Sequence, residues 1–471
     1  MTNEYQRLLE SKRRLAPSCG LDVEPENPML YPHQRDITRW ALRKGRAAVW
    51  LECGLGKTPV ALEWSRAVRD ATGGRVLILA PLAVAGQFVR EGRKFGVDVT
   101  IARSDDDVTD GIVVANYERL HRFDAGQFAG VVLDESSVLK DYTAKTRNQL
   151  IRSFAETPYR LACTATPSPN DFVELGNHAE FLGVMSRTEM LSTFFVHDGG
   201  STQDWRLKGH AQGDFFRWLA SWAVALRSPA DLGYDGSSYE IPPLNTHHIV
   251  VETPKHAGTG QLSLIQTQAS GLLEHRQARK SSLAMRVARA AEIVAAEPDE
   301  TWLVWCDLND ESAALTKAIP GAVEVKGSDS VEHKETALAG FSDGAIRVLV
   351  SKPSIAGWGL NWQHCSRVVF VGLSHSFEQY YQAVRRTWRF GQTRPVECHI
   401  VTSDREGSVV ETLKRKQADA AKLVDGLVEE MRETMASELR GAVRTADPYE
   451  PKVDMTIPTW VGQDDEEREV A

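Results

Sequence analysis

Short apolar runs bounded by turn residues recur in the first and last thirds of the chain, a pattern typical of buried parallel strands. They cover residues 47–52, 75–81, 110–116, 130–135 and 159–166, and then 301–307, 322–327, 346–351, 367–372 and 396–401. Helical patterns, such as Thr58 to Asp70 and Thr143 to Ala155, separate the runs. Strands that alternate with helices favour right-handed crossovers and a parallel sheet. The pattern therefore predicts an α/β protein with two parallel-sheet lobes.

The segment between the lobes differs from both. Residues 215–226 (FFRWLASWAVAL) are aromatic and apolar with helical spacing, and a second helical stretch runs from Leu272 to Ala296. We expect five parts: an N-terminal extension (1–30), lobe 1 (31–170), a helical protrusion and linker (171–298), lobe 2 (299–425) and an acidic tail (426–471).

Composition and charge narrow the class of protein. The chain has 471 residues, 42% of them hydrophobic and 25% charged, which is ordinary globular usage. No apolar run approaches the length that a bilayer span requires, so we expect a cytoplasmic protein. The six cysteines form no C-x-x-C pair, which argues against a zinc module. Most of the net charge of -9 lies after residue 424, so the rest of the chain is nearly neutral.

The first predicted strand is followed by Gly54-Leu55-Gly56-Lys57-Thr58, which opens a helical pattern. Glycines allow backbone N–H groups to surround phosphate oxygens, Lys57 would reach the β- and γ-phosphates, and the Thr58 hydroxyl would bind Mg²⁺. The common form of this motif has glycine where the chain has Leu51. An ordinary glycine-rich turn is the alternative, and the motif alone does not exclude it.

The fourth strand ends in Asp134-Glu135, at the edge where parallel sheets bind ligands. Asp134 could hold Mg²⁺, and Glu135 could accept a proton from a water that attacks the γ-phosphate. A solvated turn is the alternative for an isolated acidic pair.

Lobe 2 contains Gln382, Arg386 and Arg389 within QAVRRTWRFGQ. Arg386 and Arg389 are three residues apart and would share a helix face, from which they could stabilise charge on a transferring phosphoryl group. Arg385, about 100° around the same helix, is expected to tolerate substitution. A solvated basic helix face is the alternative.

Nine segments, taken in order, resemble the motif series of superfamily-two helicases, and specifically of the Swi/Snf-type DNA translocases. They are YPHQRDITRW, LECGLGKT, LILAPLAVAGQF, ANYERL, VVLDES, CTATPSPND, WLVWCD, SKPSIAGWGLNWQHC and QYYQAVRRTWRFGQTRPVECHIV. The resemblance implies two tandem RecA-like lobes with a helical insertion between them. Four positions depart from the family pattern: Leu51 stands where Asp is common, Ser136-Ser137 where Ala-His is common, and Arg385 where an acidic residue is usual.

The resemblance also implies roles for further residues. Gln34 would read the adenine edge, and Thr164, Ala165 and Thr166 would couple the nucleotide state to DNA contact. A turn in lobe 2 would touch DNA and complete the ATP site; it contains Gly357, Gly359, Leu360 and Asn361. Gln382, Arg386 and Arg389 match the arginine-finger motif of the family.

The leading hypothesis is therefore a DNA-dependent ATPase of the Swi/Snf type, with ATP and Mg²⁺, which moves on duplex DNA with weak sequence preference or remodels protein–DNA complexes. Its compact size suggests a phage or prophage origin. Two alternatives stay open: a strand-separating helicase of phage replication or recombination, and an ATPase subunit or scaffold of a restriction or defence complex.

Overall fold

The computed structural model describes residues 15–81, 84–141, 143–197, 205–252, 272–356, 361–374, 376–404 and 406–439. Within these ranges the chain forms two parallel-sheet α/β lobes, as the apolar runs predict. The predicted fold class, two tandem RecA-like lobes, is confirmed. No helix in the described ranges is both long enough and apolar enough to cross a bilayer. The cytoplasmic location stays a prediction.

Lobe 1 is built on a seven-stranded sheet in the order β3-β4-β2-β5-β6-β1-β9, with every neighbouring pair parallel. The strands are β1 (Arg46–Leu51), β2 (Arg75–Ala80), β3 (Val99–Ile101), β4 (Ile112–Asn116), β5 (Phe128–Asp134), β6 (Tyr159–Thr164) and β9 (Ala223–Leu226). The helices are α1 (Pro32–Lys44), α2 (Lys57–Thr72), α3 (Ala85–Lys94), α4 (Lys145–Ser153), α5 (Leu175–Leu182), α6 (Arg187–Phe194) and α7 (Gln212–Ala220). A small antiparallel pair, β7 (Phe195–His197) and β8 (Trp205–Leu207), lies between α6 and α7.

Lobe 2 is built on a six-stranded parallel sheet in the order β10-β15-β14-β11-β13-β12. Its strands are β10 (Leu244–Val251), β11 (Trp302–Cys306), β12 (Ala322–Val325), β13 (Val348–Ser351), β14 (Arg367–Val371) and β15 (Val396–Ser403). The helices are α8 (Leu272–Ala296), α9 (Asn309–Ala318), α10 (Val331–Ser342), α11 (Pro353–Ala356), α12 (Phe377–Val384) and α13 (Gly407–Leu439).

The expected helix over residues 215–226 is wrong at its end. Helix α7 stops at Ala220, and residues 223–226 form the edge strand β9, fully buried and paired with β1. A short apolar run that is buried on all sides carries no periodicity that separates a strand from a helix. Pairing with β1 provides hydrogen-bond partners for the backbone of residues 223–226, so this segment forms a strand because it lies at the edge of the sheet.

The segment between the lobes is shared between them. Phe194, Phe215 and Trp218 are buried in the same hydrophobic cluster as the lobe 1 sheet, whereas β10 extends the lobe 2 sheet. Helix α13 leaves lobe 2 and buries Leu423 and Leu427 in the lobe 1 cluster, so it passes through the predicted boundary at residue 425. The part boundaries stay predictions.

Candidate active site

A glycine-rich loop joins β1 to α2 in lobe 1. Gly54 and Gly56 have φ angles of 96° and 88°, a region in which other residues are strained, and α2 begins at Lys57. The Nζ of Lys57 donates to the carbonyl oxygen of Leu51 at 2.9 Å. Leu51 meets Lys57 through its backbone, and its side chain is buried in the core of lobe 1, which explains why a side chain is accepted at this position. The N-terminus of α2 and the loop form a structure that suits a phosphate group.

Gln34 lies against this loop, as predicted. Its Nε2 donates to the carbonyl oxygen of Leu55 at 3.0 Å, and its Oε1 accepts the N–H of Tyr31 at 3.1 Å. A Cβ atom at Gly56 would lie 2.1 Å from Nε2, so a larger residue at this position would displace the Gln34 amide. The buried amide of Gln34 therefore joins α1 to the loop.

The acidic pair lies at the end of β5. Glu135 has a φ of 57°, and it is the one non-glycine residue with a positive φ among the described residues. Burial, and next the charge of Glu135, raise the pKa of Asp134 to about 7, while Lys57 opposes the shift. Burial also raises the pKa of Glu135, against Lys57 and Arg386. Both carboxyl groups are therefore within electrostatic reach of Lys57.

Neighbouring strands support the pair through hydrogen bonds. Thr164 donates from Oγ1 to Glu135 Oε2 at 3.3 Å and accepts the Thr166 N–H at 3.1 Å. The hydroxyl of Tyr117 donates to the Asp134 carbonyl oxygen at 2.7 Å. These bonds join Thr164, at the end of β6, and Tyr117, directly after β4, to the end of β5.

The two serines that follow the acidic pair are buried. The Oγ of Ser136 lies 3.1 Å from Nε2 of His178, whose ring also packs edge-on against Trp50. Burial lowers the pKa of His178 to about 4, so the ring is neutral near pH 7. The serine that departs from the family pattern is thus anchored in the core of lobe 1.

The arginines of lobe 2 do not lie on a helix face. Helix α12 ends at Val384, and Arg386 and Arg389 occupy the turn that follows. Arg386 donates to the backbone and side-chain oxygens of Gln382 at 3.0 and 2.9 Å, and Arg389 donates to Asn361. Gln392 closes the turn by donating to the carbonyl oxygens of Cys365 and Thr387, each at 3.1 Å. Side-chain contacts, rather than helical spacing, bring the two guanidinium groups together.

Arg386 is buried and Arg389 is partly buried. Burial lowers the pKa of Arg386, and burial together with the charge of Arg386 lowers the pKa of Arg389 to about 10. Phe390, next in the chain, meets the loop of lobe 1: a Cβ atom at Gly54 would lie 2.6 Å from its Cβ. The turn that contains Arg386 and Arg389, here called the arginine turn, is therefore in direct contact with the glycine-rich loop of lobe 1, here called the phosphate loop.

Several predicted site residues are thus brought together and others are not. Lys57, Asp134, Glu135 and Arg386 form one electrostatic cluster. Thr58 lies in the first turn of α2 and is partly exposed. Gly357, Gly359 and Leu360 lie outside the described residues.

The sequence reasoning missed three residues at the contact between the lobes. Arg385, expected to tolerate substitution, is buried, and its NH2 lies 2.7 Å from Oε2 of Glu52 across the cleft. Tyr381 donates to the other oxygen of Glu52. The signal was available: an arginine at a usually acidic position, and a glutamate directly before the loop.

An aromatic cluster lies beside Gln34 and the loop. Tyr239 packs edge-on against Tyr31 and His33 of lobe 1, with ring centroids 6.3 and 5.5 Å away. Its ring is tilted by 30° against that of Phe390 of lobe 2, at a centroid distance of 4.8 Å. Tyr31 and Phe390 are partly exposed. These rings form an apolar surface next to the predicted adenine-reading residue.

The donor set fits Mg²⁺ held together with phosphate oxygens. Asp134 supplies a carboxylate and Thr58 a hydroxyl, both hard oxygen ligands. The described residues contain no group of three or more His, Cys, Asp and Glu that could hold a metal by themselves. Mg²⁺ commonly takes one or two carboxylates and completes its shell with water and substrate phosphates, so this sparse set is compatible with it.

Residues 286–391 match the family model of the helicase conserved C-terminal domain. That domain includes the arginine turn, and the match confirms the predicted resemblance to superfamily-two helicases. The phage-like origin stays a prediction.

Two proteins illustrate this similarity. Human "ATP-dependent DNA helicase Q4" is 29% identical over 136 residues, which cover 25% of this chain and 11% of that protein. The chain therefore spans about a ninth of the length of this curated relative. The solved structure "Sulfolobus solfataricus SWI2/SNF2 ATPase core in complex with dsDNA" is 17% identical with a TM-score of 0.42, covering 90% of this chain and 99% of that chain.

Proposed function

We propose that this protein is a Swi/Snf-type motor that hydrolyses ATP to move on duplex DNA or to remodel protein–DNA complexes. One observation carries the proposal: a phosphate loop and an acidic pair in lobe 1 lie against a buried arginine turn in lobe 2. A site divided in this way is complete only when the lobes are together, which is what a motor that couples hydrolysis to lobe movement requires.

Each residue then has a defined role. The loop N–H groups and Lys57 bind the β- and γ-phosphates, and Gln34 with the aromatic cluster binds the base. Glu135 accepts a proton from the attacking water at a carboxylate oxygen. Arg386 and Arg389 stabilise the charge that develops on the transferring phosphoryl group. Gln382 orients Arg386 through the two hydrogen bonds described above.

Asp134 and Thr58 would hold Mg²⁺, which neutralises phosphate charge in reactions of this class. Burial and the neighbouring Glu135 raise the pKa of Asp134 and so disfavour its ionised form. A cation bound beside Asp134 would stabilise the ionised form, which supports this role.

The overall charge of -9 does not itself attract a polyanion, so the proposal of DNA as partner rests on similarity. Support comes from the helicase C-terminal domain and from the curated relative, which is named as a DNA helicase. Contacts to the phosphate backbone would position the motor without reading bases, so we expect weak sequence preference.

The decisive experiment measures ATP hydrolysis by the purified chain with duplex, single-stranded and forked DNA. The proposal predicts the largest stimulation with duplex DNA and a steep loss as salt is raised, because phosphate contacts release counterions. Preference for forked DNA together with strand separation would favour the helicase alternative. ATPase activity that responds to no DNA at low salt would contradict the motor and favour the scaffold.

A further inference from the structure

Helix α12 presents one face to lobe 1. Glu378, Tyr381 and Arg385 are spaced by three and four residues, and so lie along one side of the helix and its C-cap. Glu378 pairs with Lys140 of lobe 1, and its side chain is only 4% exposed. Tyr381 and Arg385 both contact Glu52 of lobe 1. Two ion pairs of opposite orientation therefore fix both ends of this short helix to the other lobe.

Glu52 is engaged on both carboxylate oxygens. Oε2 accepts from Arg385, and Oε1 accepts from the Tyr381 hydroxyl and from the N–H of Cys53 at 2.8 Å. Glu52 directly follows β1 and lies two residues before Gly54, and Arg385 directly precedes Arg386. The pair thus connects the start of the phosphate loop with the start of the arginine turn.

Arg385 is held in a single direction by its surroundings. Its guanidinium carbon lies 4.2 Å from the centroid of the Trp388 ring, and NH1 donates to the Trp388 carbonyl oxygen at 3.2 Å. Burial alone would lower the pKa of Arg385, but Tyr381 and Glu52 raise it, and the net shift is upward. The guanidinium group of Arg385 therefore stays charged, and the Trp388 ring of the following turn stacks against it.

Close packing does not fix this part of the contact. A cavity of about 490 Å³ lies beside the pair, with Glu52 and Arg385 in its wall. Pro167 and Pro169 of lobe 1 line it on one side, and Trp388 of lobe 2 lines it on the other. Because the cavity separates these side chains, the polar contacts to Glu52 determine how the C-terminal end of α12 is placed on lobe 1.

We propose that Glu52 and Arg385 are positioning residues, which set the register of the arginine turn against the phosphate loop through α12. The inference rests on the proposed ATPase function, because register matters only if Arg386 and Arg389 act on a phosphate in the loop. Displacement of a catalytic group by about 1 Å can lower turnover roughly 100-fold. Neither residue itself is required to touch the nucleotide.

The first test separates positioning from binding and folding. Arg385→Gln and Glu52→Gln should each lower kcat by roughly 10- to 100-fold, with KM for ATP and the affinity for a non-hydrolysable analogue changed less than about threefold. The charge swap Glu52→Lys with Arg385→Glu should recover a large part of kcat. Arg227→Gln removes a different pair between lobe 1 and α13, with Asp425, and should leave kcat unchanged. Wild-type kcat in Arg385→Gln would overturn the proposal. So would a kcat of the charge swap below that of Glu52→Lys alone and of Arg385→Glu alone.

A second test does not depend on hydrolysis. Spin labels at the exposed positions Asp106→Cys in lobe 1 and Lys317→Cys in lobe 2, on a Cys19→Ser background, report the distance between the lobes. Arg385→Gln should broaden the distance distribution measured with the same non-hydrolysable analogue. An unchanged distribution would contradict positioning by Arg385. If the wild type hydrolyses no ATP, the proposed function fails, and this distance measurement still decides whether the pair sets the lobe register.

Discussion

The two lobes hold their site residues in different ways. In lobe 1 the acidic pair lies at the end of β5, a strand paired on both sides, so the sheet backbone fixes its position. In lobe 2 the arginines lie beyond the end of α12, and side chains such as Gln382, Gln392 and Asn361 hold them. Lobe 1 is therefore the rigid half of the site, and lobe 2 is the half whose geometry depends on a few polar contacts.

The lobes also differ in the sign of their buried charge. In lobe 1, burial raises the pKa values of two carboxyl groups, and in lobe 2 it lowers those of two guanidinium groups. Each shift disfavours the charged form. For one pair of residues the other lobe opposes the shift, since Arg386 lowers the pKa of Glu135 and Glu135 raises that of Arg386. Contact between the lobes therefore favours the charged forms of these two residues.

The largest effect is expected from the arginines of lobe 2. Arg389→Ala should lower kcat by roughly 10³-fold or more, with little loss of nucleotide affinity, because an arginine finger acts chiefly in the transition state. Steady-state kinetics combined with direct binding of a nucleotide analogue measures both quantities. A loss confined to affinity would remove Arg389 from this role and would make lobe 2 a binding surface only.

Two substitutions in the rigid half should separate binding from chemistry. Glu135→Gln should lower kcat by roughly 10²- to 10³-fold while it retains ATP, because the amide cannot accept the proton of the attacking water. Lys57→Ala should also stop turnover, but with weakened ATP affinity, because the ammonium group contacts phosphate. Equilibrium binding of ATP to the two variants distinguishes them. Near-normal turnover in Glu135→Gln would exclude it as the general base.

The sequence predicts the site residues of lobe 1 better than those of lobe 2, because the sheet backbone places the former and side-chain contacts place the latter. Apolar runs locate β5 and its terminal acidic pair, because a strand end is a local feature and the sheet places it at the ligand-binding edge. Helical spacing misplaces Arg386 and Arg389, because the helix ends at Val384 and the turn beyond it is folded by Gln392, a contact that spacing does not encode. The burial of Arg385 depends on Glu52, more than 300 residues earlier in the chain. Such pairing becomes visible only when the two lobes are assembled.

The buried polar anchors of the lobes differ in charge, and the one in lobe 1 should respond to acid. Lobe 2 contains the fully buried ion pair of Arg286 and Glu311, whereas lobe 1 contains neutral His178. Because burial lowers the pKa of His178 from 6.5 to about 4, the unfolded chain binds a proton in this range and the folded chain does not. The associated stability is fully present above about pH 6.5 and is lost as the pH falls to about 4.

His178→Gln removes this titration. The difference in the free energy of unfolding between wild type and variant should therefore shrink by about 3 kcal/mol from pH 7 to pH 4. Urea unfolding followed by tryptophan fluorescence at several pH values measures it, and Trp50, which packs on the ring, lies in the affected region. Curves that stay parallel over this range would show that His178 titrates normally in the folded protein.

The smallest effect tests whether the lobes meet where the structure places them. Gly54→Ala should lower kcat about tenfold, because the new Cβ would lie 2.6 Å from the Cβ of Phe390 and overpacking of this kind costs about 1–3 kcal/mol. Backbone strain alone is controlled by Gly73→Ala, which has a φ of 67° and nothing within 4 Å of the added atom. If the clash is between lobes, Phe390→Gly should restore kcat at saturating ATP in the Gly54→Ala protein, since it removes the opposing Cβ, while KM for ATP rises because the aromatic cluster loses a ring. A Gly54→Ala defect that Phe390→Gly does not relieve would mean that the loop of lobe 1 fails by itself, and that the arginine turn does not rest on Gly54 during turnover.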